Sequence, residues 1–209
     1  MIKKEIQEYI ETNIIPQYKN FDKGHNISHV RTVIEESLKL AKTENVKLDL
    51  VYVIAAYHDL GLSIDREFHH INSGKILEAD KLLHQWFSDN EIKIMKEAVE
   101  DHRASSKNPP RSIYGKIVAE ADRDIIPLKI IKRTIQYSIK NTPSDNKEVH
   151  WQHLVEHMAE KYAQGGYMKL WFKNSKNHKQ LKELREIIAD KVLLRKIFEE
   201  IFIEENVTI

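Results

Sequence analysis

The chain has 209 residues, of which 41% are hydrophobic and 31% charged, enough for one substantial core. Its 33 basic and 32 acidic side chains leave a formal charge of +1, which excludes the global basic field of a nucleic-acid or anionic-membrane binder, so any affinity for phosphate must be local. Cysteine is absent, which excludes disulfide and thiolate chemistry, and eleven histidines leave imidazole and carboxylate as the strong metal ligands on offer.

The N-terminal stretch "MIKKEIQEYIETNIIPQY" has neither a long apolar core nor a small-residue cleavage site, and no run of about eighteen apolar residues occurs anywhere, so a cytoplasmic protein off the membrane is expected. Six glycines and five prolines, separated by long runs of helix formers, predict an all-α protein, read here as a single domain with a core near residues 24–124 and a helical extension over 125–209. In chain order the helices are expected over Ile2 to Asn13, Ile27 to Glu44, Leu48 to Asp59, Asn72 to Phe87, Asp89 to Arg103, Ser112 to Asp122, Pro127 to Lys140, Pro143 to Ala163, and a long one from Asn177 to Glu204. "SDNE" at Ser88 to Glu91 reads as a capping box. Thr142 before Pro143 reads as an N-cap, and Gly61 and Gly165 fall where left-handed C-terminal caps belong.

The chemistry lies where apolar stripes meet imidazoles and carboxylates. The second predicted helix puts Val30, Val33, Ile34 and Leu38 on one face, with His29 at its border in the first turn. The third, "VIAAYHDLGL", is apolar nearly all round and should be central, yet it ends in His58 and Asp59. His70 opens a helix after a short loop, His102 closes the helix bearing Ile94, Met95, Ala98 and Val99, and Asp122 follows the stripe of Ile117, Val118 and Ala121. Any one such histidine is more often a hydrogen-bonded core residue, and either aspartate alone could serve a helix terminus or a nearby cation. Six together would need many private partners, whereas one or two divalent cations satisfy them all.

The order of His29, the His58-Asp59 doublet and Asp122 resembles the HD superfamily of metal-dependent phosphohydrolases. "HNISHVRTV", "AAYHDLG" and "VAEADRDI" look like its metal-binding segments, over roughly Gly24 to Asp124. "HHINSGKIL" and "VEDHR" are similar to the extra ligand segments of binuclear members, such as the HD-GYP group and the mixed-valent di-iron oxygenases; no GYP signature follows the doublet, so cyclic dinucleotide hydrolysis is not carried over. The resemblance implies one metal on His29, His58, Asp59 and Asp122 and a second on Asp59, His70 and His102, with His58 and Asp59 as the catalytic pair. His69 competes with His70, which is preferred for its spacing to Gly74. One or two divalent transition metals per chain are expected, and the nitrogen and oxygen donors suit Mn, Fe, Zn, Ni or Co alike.

Two such cations would acidify a bridging water and clamp the oxygens at phosphorus, which is the chemistry of phosphate ester hydrolysis. Arg103, Lys107, Arg111 and Lys116 lie between the proposed ligands and are the candidates for holding phosphate, Arg103 and Arg111 foremost. The expected partner is a small phosphorylated substrate such as a nucleotide, with no membrane or nucleic acid. Two other readings share the ligands: an HD-type di-iron oxygenase, and a nucleotide-binding regulatory protein. His150, His153 and His157 are read as packing or surface residues, and the aromatics of "GGYMKLWF" as a lid or as core.

Overall fold

The computed structural model describes residues 2–22, 24–106 and 108–207. They form ten α-helices with short π and 3-10 turns and no strand. The chain divides into two compact units, Met1–Arg123 and Asp124–Ile209.

In the first unit, α1 (Lys4–Tyr9) runs on into a π turn (Ile10–Ile14) and a 3-10 segment (Ile15–Asn20). Their buried face, Ile6, Ile10, Ile14, Ile15 and Tyr18, faces the core. Next come α2 (Ile27–Ala41), α3 (Leu48–Tyr57), a 3-10 turn (Leu60–Ser63), α4 (His69–Ala79), a 3-10 turn (Leu83–Gln85), α5 (Asp89–Glu100) and α6 (Ile113–Ala121).

Helix α3 is central because it has no polar face to offer water: every residue from Leu50 to Tyr57 is buried. Around it α2, α5 and α6 each turn an apolar stripe inward, Val30, Val33 and Ile34 from α2, Ile92, Met95 and Val99 from α5, Ile117 and Val118 from α6. Each such side chain contributes about 1.5–3 kcal/mol by leaving water, so the helix ends that carry the polar residues are held by a rigid mount. The start of α5 is fixed by the expected capping box, in which Ser88 accepts from the Glu91 amide and the Glu91 carboxylate accepts from the Ser88 amide.

The glycines divide differently from expectation. Gly165 alone has a positive φ, +87°. Gly61 is required for a steric reason instead: a Cβ there would sit 2.1 Å from the His69 carbonyl oxygen and 2.6 Å from the Ser73 amide nitrogen, so the turn after α3 can press directly on α4. The contact is tied by the Gly61 amide, which donates to Ser73 Oγ at 2.8 Å.

The second unit comprises α7 (Pro127–Asn141), α8 (Lys147–Lys161), α9 (Lys176–Ala189) and α10 (Lys191–Val207) around Ile131, Ile135, Leu154, Met158, Leu184 and Phe198. Helix α8 starts after Asn146, whose side chain accepts from the Glu148 amide, rather than at Pro143. The long terminal helix is broken at Asp190, whose Oδ1 accepts from the amides of Val192 and Leu193 and so begins α10 as an N-cap. His150 is buried as a packing residue: its Nε2 donates to the Ser144 carbonyl at 2.9 Å and its Nδ1 accepts from the Ser138 hydroxyl at 2.8 Å.

Candidate metal centre

Five helix ends in the first unit deliver imidazoles and carboxylates to one place. His29 sits in the first turn of α2, where its amide donates to the Asn26 side chain. His58 caps the C-terminus of α3, Asp59 follows it, His102 follows the end of α5, and Asp122 caps α6. His69 is the first residue of α4. Three helix C-termini, whose partial negative charge favours a cation, and the N-termini of α2 and α4 thus converge on the site.

The donor atoms form two groups. In the first, His29, His58, Asp59 and Asp122 each offer one atom within 4.8 Å of the others, and in the second Asp59, His69 and His102 do the same. His29 Nε2 and His58 Nε2 are 3.2 Å apart, with Asp122 Oδ1 3.2 Å from the former and 3.6 Å from the latter. Asp59 Oδ2 lies 3.0 Å from His58 Nε2 and 3.4 Å from His29 Nε2. Its other oxygen, Oδ1, lies 3.4 Å from His102 Nε2 and 3.6 Å from His69 Nε2. One carboxylate therefore turns an oxygen to each group.

Tautomers are fixed by the backbone. His58 Nδ1 donates to the Ala55 carbonyl at 2.8 Å, His102 Nδ1 to Val99 at 2.6 Å, and His69 Nδ1 to Arg66 at 2.8 Å. A carbonyl only accepts, so in each ring Nδ1 carries the proton and the neutral form presents a bare Nε2 lone pair to the group.

These residues fit a divalent metal on two observations. Asp59 Oδ2 is buried and has no hydrogen-bond partner, although basic nitrogens surround it. Bonds of about 2.0–2.1 Å from a metal to imidazole, at tetrahedral angles, put neighbouring ligand atoms about 3.3 Å apart. The Nε2 pairs His29–His58 and His69–His102, each 3.2 Å apart, match that edge.

Electrostatics agree. Burial pulls the His58 pKa down, but the carboxylates of Asp59 and Asp122 beside its Nε2 outweigh it and hold it well above the ordinary value. His29 follows the same logic through Asp122 and Asp59. Burial would raise Asp59, yet the charge of His58 and the close approach of the His102, His29 and His58 imidazoles keep it well below the usual carboxylate range. Asp122 is likewise lowered, through His29 and His58, against its own burial.

Of the residues expected at this centre, His29, His58, Asp59, His102 and Asp122 are brought together, and His70 is not. Its neighbour His69 takes that position, because the bond from His69 Nδ1 to Arg66 aims Nε2 at Asp59. His70 stands behind with its ring 5.5 Å from that of His69, and burial, His102, His69 and Arg103 push its pKa down to about 4. Gly74, which had favoured His70 by spacing, serves helix contact instead: a Cβ there would meet Glu100 Cγ at 2.8 Å.

His69 also lines a cavity of about 420 Å³, whose other walls are His25, Leu62, Arg66, Glu67 and Arg103. Arg103 donates to the Glu67 carbonyl at 2.8 Å and Arg66 to Asp22 Oδ2 at 2.7 Å. Arg111, expected here, is engaged elsewhere: its Nε donates to Asp101 Oδ1 at 2.9 Å and its Nη2 to Glu100 Oε2 at 2.7 Å, binding the following loop to the end of α5. Lys116 is half-buried on α6 and does not line the cavity, and Lys107 lies outside the described residues. Arg66 and His25 had no place in the expected set, and no local pattern marks them; Asp22, which accepts from both, is what joins their two loops.

A helical bundle whose helix ends pool histidines and aspartates around one shared carboxylate defines a metal-binding histidine-aspartate fold. Residues 26–124, just under half of the chain, match the HD domain family. A search of the curated proteins returns no match. Solved structures share the fold. A protein of Lactobacillus plantarum is 20% identical with a TM-score of 0.59, the match covering 94% of this chain and 97% of that one. Bacillus subtilis YpgQ, solved with ADP, is 16% identical with a TM-score of 0.56, over 94% of this chain and 95% of that one. A predicted HD superfamily hydrolase from an uncultured Thermotogales bacterium is 20% identical with a TM-score of 0.53, over 93% and 91%. Among the described residues no helix is long and apolar enough to cross a membrane.

Proposed function

We propose that the chain is a metal-dependent phosphohydrolase that cleaves a phosphate ester of a nucleotide or another small molecule. The observation that carries this reading is Asp59, with one oxygen turned to each of two nitrogen-and-oxygen donor groups, beside a cavity walled by two arginines. In this reading His29, His58, Asp59 and Asp122 hold one divalent metal, and Asp59, His69 and His102 a second. Bound there, such a cation supplies Lewis acidity toward water and toward phosphate oxygens.

The chain's own residues do the rest. The Ala55, Val99 and Arg66 carbonyls hold His58, His102 and His69 with Nε2 forward, which removes ring rotation from the cost of assembling the centre. Arg103 and Arg66 supply guanidinium groups on the wall next to His69, suited to a phosphate's paired oxygens. At about 420 Å³ the cavity has the volume of a small-molecule site and room beyond a bare phosphate. YpgQ, which shares the fold, was solved with ADP, a phosphate-bearing ligand of the class proposed.

The test is phosphate release from a panel of nucleotides and small phosphate esters, with protein loaded in turn with Mn, Fe, Zn, Ni or Co, for wild type and Asp59→Ala. The reading expects turnover with at least one metal and loss of both metal and turnover in the variant. Full activity in Asp59→Ala overturns it. Oxygen uptake by the iron-loaded protein without phosphate release from any ester would replace it with the oxygenase reading.

A further inference from the structure

We propose that Tyr18 is a positioning residue of the metal centre, a clamp that sets the backbone of the His58-Asp59 doublet before any cation arrives. The proposal rests on the reading of these side chains as metal ligands. Tyr18 comes from the 3-10 segment Ile15–Asn20, ahead of the residues that match the HD domain.

Its side chain is fully buried, and its hydroxyl makes two bonds, both to the end of α3. It donates to the Ala56 carbonyl at 2.9 Å and accepts from the Asp59 amide at 3.3 Å. The ring lies beside the imidazole of His58, centroids 6.4 Å apart and planes 29° from parallel, with Phe21 edge-on behind it at 5.2 Å. One residue thus touches both members of the doublet.

The place needs such a clamp. Helix α3 ends at Tyr57, and the last carbonyls of a helix require partners from outside it. Ala55 and Ala56 are successive carbonyls in that last turn: His58 Nδ1 caps the first and Tyr18 the second. Beyond them Asp59 leaves helical geometry at φ −111° and ψ 3°, the residue whose two oxygens must face opposite ways. Rotation there would move both oxygens together, and the hydroxyl holding the Asp59 amide opposes it. Tyr18 lies on a face otherwise made of isoleucines, where phenylalanine would fill the same space. A hydroxyl buried there is costly unless bonded, and its two bonds are to the last turn of α3 and to the Asp59 amide.

The experiment is metal titration of metal-free wild type, Tyr18→Phe and Tyr9→Phe, with Mn(II) followed by electron paramagnetic resonance and Zn(II) by chelator competition. Tyr9→Phe is the control: it removes a tyrosine hydroxyl that bonds Asp80, a carboxylate in neither donor group. Loss of an outer-shell partner predicts about 10- to 100-fold weaker metal binding in Tyr18→Phe at unchanged stoichiometry, against less than about twofold in Tyr9→Phe, whatever each does to the melting temperature. Equal affinity in Tyr18→Phe and wild type, with only a lower melting temperature, overturns the clamp and leaves the metal reading standing. Wild type that takes up no metal overturns both. Should Tyr18→Phe fail to fold, amide exchange of metal-free wild type decides: the clamp requires a protected Asp59 amide without metal, and exchange at the rate of an open loop overturns it.

Discussion

The Nε2 atoms of His69 and His102 face each other across 3.2 Å, each ring held by a backbone bond through Nδ1. Two lone pairs in that arrangement repel unless a proton or a cation lies between them, which makes the pair a direct test of the second donor group. Removing His69 should release one of about two metals per chain, whereas His70→Ala should keep both, since His70 is outside the group. Elemental mass spectrometry on protein purified without chelator reads the difference. Equal loss in both variants, or loss only in His70→Ala, would return the ligand role to His70.

How much of this was legible beforehand varies with how local the cause is. The all-apolar run before His58 announced a buried helix with a polar end, and Ser88 with Glu91 announced the start of α5, because both signals lie within a few residues. The choice between His69 and His70 was not legible. The two are adjacent at a helix start and point about 100° apart, and what selects His69 is its bond to Arg66 in a loop with no periodicity. Arg66 itself was invisible for the same reason, since only the pairing of Asp22 with Arg66 and His25 brings it to the cavity. The break at Asp190 was missed because apolar periodicity runs on through it, while the capping aspartate was in plain view.

Stability should depend on pH in opposite ways with and without metal. His29 and His58 have raised pKa values in the metal-free protein. For a raised group the stabilisation is fully present below the unfolded value, about 6.5, and is lost as pH rises through the folded value. Cation binding needs the same imidazoles neutral, so its contribution grows over the same range. The gap in melting temperature between metal-loaded and chelator-treated protein should therefore widen from about pH 6 upward. A gap that is constant or narrows would mean that these two rings do not bind the cation.

Gly61 and Gly74 should respond very differently to alanine. At Gly61 the new Cβ meets backbone, the His69 carbonyl oxygen and the Ser73 amide, so the turn or α4 must move and His69 moves with it. Overpacking of this kind costs about 1–3 kcal/mol or more, and Gly61→Ala should lose both melting temperature and metal from the second group. At Gly74 the obstacles are side-chain atoms, Glu100 Cγ at 2.8 Å and Lys96 Cγ at 3.3 Å, which can give where backbone cannot, and the gain of about 1 kcal/mol in helix propensity offsets part of the adjustment. Thermal melts and metal content separate the two, and a Gly61→Ala protein with wild-type values in both would show that α4 can shift without disturbing His69.

Arg103 and Arg111 make the last contrast, because only eight residues separate them and the structure gives them different work. Arg103 stands on the cavity wall with His69, and its bond to the Glu67 carbonyl uses one of the guanidinium's five N–H donors. Arg111 spends its donors on Asp101, Glu100 and the Glu97 carbonyl, and the Asp101 carboxylate also accepts the Arg111 amide at 2.7 Å. Loss of a charged hydrogen bond to substrate costs about 1.5–3 kcal/mol, so Arg103→Ala should raise KM by about 10- to 100-fold with little change in melting temperature. Arg111→Ala should do the reverse, loosening the loop that leads from His102 to α6 while KM stays within about threefold. Steady-state kinetics and melts on both variants decide the matter, and a KM effect confined to Arg111→Ala would place the phosphate on the other side of α5.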